Sequence, residues 1–185
     1  MLICIDPGHG LGNRHDGVYD PGAVSAGVEE ADVALAWGLT LRHELVLAGI
    51  PNVMTRRTPE SEAYVGRRAK FASLSGATNF ISLHCNASAN PLARGTETLI
   101  RDKATEWAQM VHAAALSAMG SKDRGIKDES KSQHGRLAVL AAPNPCLLEI
   151  GFLTNPADRK LMLNRDVRIL FARALVHRIQ AKDNP

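Results

Sequence analysis

Along this chain, short apolar runs of strand length alternate with longer stretches whose apolar residues recur every three or four positions. Strands alternating with helices predict an α/β domain built on a mostly parallel sheet. Residues 2–6 read as the first strand. A Gly-rich segment, residues 7–27, follows and carries two turn-forming clusters, Asp6-Pro7-Gly8-His9-Gly10 and Asp20-Pro21-Gly22-Ala23. About 20 residues without an element is long for a compact domain, and such loops are usually functional or disordered.

Val33, Trp37, Leu41 and Leu45 stand at helical spacing and predict a helix over 29–48, closed by Gly49. Residues 52–55 read as a strand. Residues 62–74 read as a second helix with Arg67, Arg68 and Lys70 on its polar side. Strands follow at 79–84 and 95–100, then a helix at 103–119. Residues 120–135 are polar and read as a loop. Apolar runs at 137–141 and 145–150 read as two more strands, and helices at 157–163 and 167–181 complete the chain. The expectation is one domain over residues 1–185: a twisted sheet of about six strands with helices on both faces. On the last helix, Ile169, Leu170, Leu175, Val176 and Ile179 are expected to pack on the sheet, while Arg168, Arg173, Arg178 and Lys182 remain available to an anionic membrane surface.

Composition narrows the class. A chain of 185 residues is long enough to bury about 70% of its unfolded surface. Its formal charge of +3 is too small and too dispersed for a nucleic-acid binder. Cys4, Cys85 and Cys146 are odd in number, form no CxxC pair and lie in apolar runs, so they read as buried free thiols rather than a disulfide framework. No run approaches the roughly 20 apolar residues of a membrane span. Residues 1–6 open a strand at once and show no charged leader or cleavage site. The expectation is a monomer made in the cytoplasm, with neither an export signal nor a separate wall-binding domain.

Three strand ends lead to reactive side chains. The first strand leads into His9, the third ends at His84 and the sixth at Glu149. Sites in parallel α/β sheets lie outside the carboxyl ends of the strands, so these three stretches should converge. Two histidines and a carboxylate are a suitable donor set for a catalytic zinc, which keeps one position for water. Asp6, Asp16, Asp20, Glu29, Glu30, Asp32 and Glu149 are the candidates for the carboxylate, and spacing alone does not choose among them. His15, His43, His112, His134 and His177 read as structural or surface residues, though His134 shares the polar loop and is a candidate to line the groove. Alternation along a strand turns Cys85 away from His84, and Cys146 away from Glu149, which argues against cysteine ligation.

The stretches Ile5-Asp6-Pro7-Gly8-His9-Gly10, Asp20-Pro21-Gly22-Ala23, Glu30-Ala31-Asp32-Val33-Ala34-Leu35, Ser82-Leu83-His84-Cys85-Asn86-Ala87 and Leu148-Glu149-Ile150-Gly151-Phe152-Leu153-Thr154-Asn155 resemble, in order and over nearly the whole chain, the zinc N-acetylmuramoyl-L-alanine amidases of bacterial autolysins and phage endolysins. Thr55-Arg56, Arg67 or Arg68, and Arg124-Gly125-Ile126-Lys127 look like secondary signatures. The resemblance implies one Zn2+ per chain held by His9, Glu30 and His84, with Glu149 as the catalytic glutamate. Glu30 rather than Glu29 follows from register, since Asp32 and Leu35 then fall at the family's positions, although Ala31 and Ala34 stand where the family usually has Lys and Asn.

The implied reaction is peptidoglycan hydrolysis at the amide between N-acetylmuramic acid and L-alanine. Zinc would supply an acidified water, while Glu149 would act as general base and then general acid. Arg124 and Lys127 could contact carboxylates of the stem peptide. The span from His84 to Glu149 has no room for a long occluding helix, which suggests an enzyme active when made and governed by access to substrate. The biological setting expected is a phage or prophage endolysin released to the wall through a holin-type lesion, or alternatively the excised catalytic domain of a secreted autolysin. The competing functions are a zinc peptidase cutting within the stem peptide and an inactive wall-binding module. The module would be expected to lack Glu149 or a ligand, and all four residues are present.

Overall fold

The computed structural model describes residues 1–132 and 135–183. Ile3, Cys4 and Ile5 are fully buried, as expected of a strand covered on both faces. They lie in β1 (Ile3–Pro7). The loop after it is pinned by two small antiparallel pairings, β2 (Gly10–Leu11) with β3 (Tyr19–Asp20), and β4 (Val24–Ser25) with β5 (Val28–Glu29). Then come α1 (Glu30–Leu47), β6 (Asn52–Met54), α2 (Val65–Leu74), β7 (Asn79–Asn86), β8 (Thr96–Ile100), α3 (Glu106–Met119), β9 (Asp123–Asp128), β10 (Pro145–Phe152), α4 (Pro156–Leu163) and α5 (Arg165–Asp183).

The main sheet has six strands in the order β6-β1-β7-β10-β8-β9. Neighbours are parallel except β10 with β8, so the α/β, mostly parallel expectation holds. Two strand assignments change. Residues 137–141 do not form a strand: Ala138–Ala141 is a 3-10 turn that buries Val139 and Leu140. A short apolar run is ambiguous between strand and helical segment, and here the helical form wins. Conversely, the polar stretch read as a loop contains β9, an edge strand whose charged, half-exposed positions carry no alternation. His134 lies outside the described residues.

Side-chain parity sorts the sheet into two faces. Ile3, Ile5, Ile81, Leu83, Cys85, Cys146, Leu148 and Ile150 join the larger core with residues of α1, α3 and α5. Cys4, Phe80, Leu99 and Leu147 join a smaller one with Ala69 and Ala72 of α2 and the 3-10 turn. Asp6, Ser82, His84, Glu97 and Glu149 have the parity of this second face; Asp6, His84 and Glu149 lie in the C-terminal halves of β1, β7 and β10, and Glu97 near the start of the antiparallel β8. The three cysteines are free and buried, with Cys85 and Cys146 turned into the opposite core. In α5 the expected packing is partly corrected: Phe171, Leu175 and Ile179 are buried, Leu170 is exposed, and the helix lies against α1 and α3.

Candidate metal centre

The chain enters the site through a strained residue. His9 follows β1 with φ 58°, a left-handed backbone that costs a non-glycine residue on the order of 1 kcal/mol or more. Gly8 lies against the His84 imidazole so closely that a Cβ there would overlap the ring. Gly22 has φ 68°, and a Cβ on it would meet Glu30 and His9. These two glycines of the turn-forming clusters are therefore demanded by the site and not by the turns alone.

Glu30 is the first residue of α1, whose start has no side-chain cap. Instead the amides of Glu30 and Ala31 donate to the carbonyls of Ala23 and Pro21, so the loop itself fixes where the helix begins. The buried Glu30 carboxylate accepts from the Ala23 amide through Oε2 and from the Cys85 amide through Oε1, each at 2.9 Å. Its Oε1 stands 3.1 Å from Nε2 of His9 and 2.9 Å from Nδ1 of His84. The two imidazoles meet edge to face, with centroids 4.9 Å apart. One donor atom from each of His9, Glu30 and His84 falls within 4.8 Å of the others. Ligands at about 2.0–2.2 Å from one zinc are separated by about 3–3.5 Å, so this N, O, N set has the chemistry and compactness to hold one ion.

The electrostatics agree with that use. Burial works against the Glu30 carboxylate, but His84 and His9 outweigh it and hold its pKa well below the usual range. Burial keeps His84 below the ordinary histidine value. His9, despite burial, is raised by Glu30 and Asp20. Asp20 Oδ2 sits 3.1 Å from Nδ1 of His9 and accepts from Nδ2 of Asn13 at 2.6 Å. Burial opposes ionisation of Asp20, yet the Gly22 amide, His9 and Asn13 keep it strongly acidic. A carboxylate on Nδ1 fixes the imidazole tautomer that leaves Nε2 free to coordinate.

Glu149 stands in register with His84 on one side and Glu97 on the other. A register shift follows it in β10, a bulge of the kind that re-aims side chains beside sites. Its Oε2 is buried with no hydrogen-bond partner among the described residues. Burial, then the charges of Glu30 and Glu97, push its pKa well above the usual carboxylate range. The helix that follows is capped by Asn155, which accepts from the Ala157 and Asp158 amides, so Glu149 does not serve as its cap. Glu97 accepts from Arg124 at 2.7 Å, Lys127 at 2.8 Å and Asn86 at 3.0 Å. Arg124 and Lys127, expected to be available to a peptide, are thus paired with Glu97.

The remaining sequence candidates are engaged elsewhere. Asp6 is fully buried and bound by Arg68, Thr55 and Ser82. Glu29 accepts from the Tyr19 hydroxyl, and Asp16 and Asp32 are exposed. His15, His43 and His177 are surface residues, while His112 is buried between Thr98 and Asp123. Arg68, placed on the polar side of its helix by pattern, is instead 2% exposed. It donates to Asp6, Asn13 and the carbonyls of Ala63, Pro7 and His9. Arg56 is buried beside it. Neither arginine's position followed from periodicity; their only signal was the family-like Thr55-Arg56 and Arg67-Arg68 pairs.

The fold and site define a class: an α/β domain with a mostly parallel six-stranded sheet whose strand ends gather two imidazoles and a carboxylate close enough to hold one ion, beside a desolvated glutamate. Residues 3–181 match the N-acetylmuramoyl-L-alanine amidase family, and the chain belongs to that family. It is similar to the catalytic domain of CwlV, an N-acetylmuramoyl-L-alanine amidase from Bacillus (Paenibacillus) polymyxa var. colistinus, at 27% identity and a TM-score of 0.82 over 99% of this chain and 98% of that one. The N-acetylmuramoyl-L-alanine amidase from Clostridium difficile 630 superposes at 30% identity and a TM-score of 0.81, covering 99% of this chain and 97% of that one. The amidase AmiC of Neisseria meningitidis is 26% identical over 97% of this chain, which spans 52% of that protein's length. The peptidoglycan-amidase reading made from the motifs stands at the level of family and fold.

Proposed function

We propose that this chain hydrolyses the amide between the lactyl group of N-acetylmuramic acid and L-alanine of the peptidoglycan stem peptide, with one zinc ion held by His9, Glu30 and His84. The observation that carries the reading is the conjunction of that compact donor set with the partnerless, buried Oε2 of Glu149 in the adjoining register position. Several buried side-chain atoms among the described residues have no partner, and what distinguishes Oε2 of Glu149 is its register position beside His84 of the donor set. When bound, zinc would polarise the scissile carbonyl and bring the pKa of a water towards about 7.

The chain's own residues do the rest. Asp20 keeps the proton on Nδ1 of His9 and so orients Nε2 towards the ion. Glu149 takes a proton from the attacking water and passes it to the alanine nitrogen as the C–N bond breaks. A raised pKa suits a group that must both accept and release a proton near neutrality. Burial, and after it the charges of Glu30 and Glu97, disfavour the charged form of Glu149 and raise its pKa; Glu97 is itself held by Lys127 and Arg124.

Digestion of purified sacculi with and without a chelator tests the proposal. The expected result is new L-alanine amino termini released only by the metal-loaded protein. Amino termini from within the stem peptide would replace the proposal with a peptidase, and new reducing sugar ends would replace it with a glycosidase.

A further inference from the structure

Arg56 is 2% exposed, and all of its hydrogen bonds among the described residues go to backbone carbonyls. Nε donates to Pro7 O at 3.1 Å, and Nη2 donates to Gly8 O and to Ala31 O, each at 2.7 Å. A buried guanidinium held by neutral carbonyls is a costly arrangement, and its three partners show what it accomplishes. Pro7 and Gly8 lead directly into His9, and Ala31 follows Glu30. One planar fork therefore joins the loop that presents an imidazole to the helix start that presents the carboxylate. Gly10, at φ 95°, keeps the space open: a Cβ there would lie 2.9 Å from Nε of Arg56. Arg68 binds the same loop at Pro7 O and His9 O, but its other partners are Asp6, Asn13 and Ala63. It does not reach α1.

We propose that Arg56 is a positioning residue of the metal site, whose fork sets the separation of His9 from Glu30 and holds His9 in its left-handed backbone. The inference rests on the metal-site reading above. Lysine keeps the charge but presents a single tetrahedral nitrogen, which cannot reproduce a planar set of three carbonyl contacts.

The test is zinc affinity of the full chain by competition with a chromophoric chelator, together with the d–d spectrum of the cobalt-substituted protein. Arg56→Lys should bind zinc about 10–100-fold more weakly and show an altered cobalt spectrum. Leu45→Ala, which removes a fully buried side chain near the far end of the same helix, should melt lower without metal yet keep wild-type affinity and spectrum. Unchanged affinity in a folded Arg56→Lys protein overturns the proposal. If Arg56→Lys does not fold, Arg56→Gln, which retains one donor without the charge, is read the same way; unfolding of both marks Arg56 as a folding residue and also overturns it. A wild-type chain that binds neither zinc nor cobalt fails the metal-site reading itself, whereas wild-type binding with equal binding by the variants fails only the role of Arg56.

Discussion

Replacing Glu149 by Gln separates what this carboxyl costs from what it does. Its Oε2 is buried without a partner among the described residues, and Glu30 and Glu97 add like charge. An isosteric neutral amide removes the ionisable group, which should stabilise the metal-free fold by about 1–3 kcal/mol. For a chain of this size that corresponds to a melting point about 2–12 °C higher. The sign has a pH signature. A carboxyl whose folded pKa is raised contributes stability fully present below its unfolded pKa and lost as pH rises towards the folded value. The advantage of Glu149→Gln should therefore be largest at pH 7–8 and shrink towards pH 4, as the carboxyl of the unfolded chain also becomes protonated. The same substitution removes the proton carrier, so kcat on sacculi should fall about 10²–10⁴-fold. Paired thermal melts of the metal-stripped proteins from pH 4 to 8, with a dye-release or amine-release assay on the metal-loaded proteins, measure both. A variant that melts with the wild type at every pH would sink the desolvation argument. One that keeps more than about a tenth of the wild-type rate would sink the assignment of proton transfer.

Gly8→Ala places a Cβ on the His84 ring and should weaken zinc binding by about 10–100-fold while the circular dichroism of the fold is retained; wild-type affinity would refute the close-packing account. Asp20→Ala frees Nδ1 of His9 and should cost zinc affinity by a similar about 10–100-fold factor, read by chelator competition. Burial opposes ionisation of Glu97, but Lys127 and Arg124 lower its pKa overall. Its stabilising contribution is present above the unfolded pKa and disappears as pH falls through the folded one. Glu97→Gln should therefore destabilise by about 1–2 kcal/mol at neutral pH, reduced by the partial exposure of both cations; the difference should shrink as pH falls below the ordinary carboxylate range, and a pH-independent difference would refute the pairing.

How far the site could be read from the residues depended on what each element reports locally. Strands announce their ends, so His84 and Glu149 were legible as strand-end groups, and His9 as the residue beyond the first strand. Glu30 was not, because a carboxylate at a helix start looks the same whether it serves the helix dipole or faces two imidazoles across the sheet; its place came from motif register alone. Asp20 was legible as one carboxylate among several, but its contact with Nδ1 of His9 depends on a loop folded by two-residue pairings with no periodic signal. Arg68 was misplaced on a polar helix face because its partners are loop carbonyls and Asp6, which a helical pattern does not see. Strand β9 has no periodic signal for a related reason: it is an edge strand whose Arg124 and Lys127 are placed by Glu97 on the neighbouring strand, and residues 137–141 read as a strand because a five-residue apolar run has no period long enough to decide.

If His9, Glu30 and His84 form a single metal centre, Glu149 serves it without holding the ion. A zinc titration of the metal-stripped chain, followed by calorimetry with bound metal counted by atomic emission, addresses it most directly. The account predicts one zinc ion per chain in the wild type and in Glu149→Gln, and loss of that ion in His9→Ala and in His84→Ala. Tight stoichiometric binding by His9→Ala or by His84→Ala, or its loss in Glu149→Gln, would contradict it.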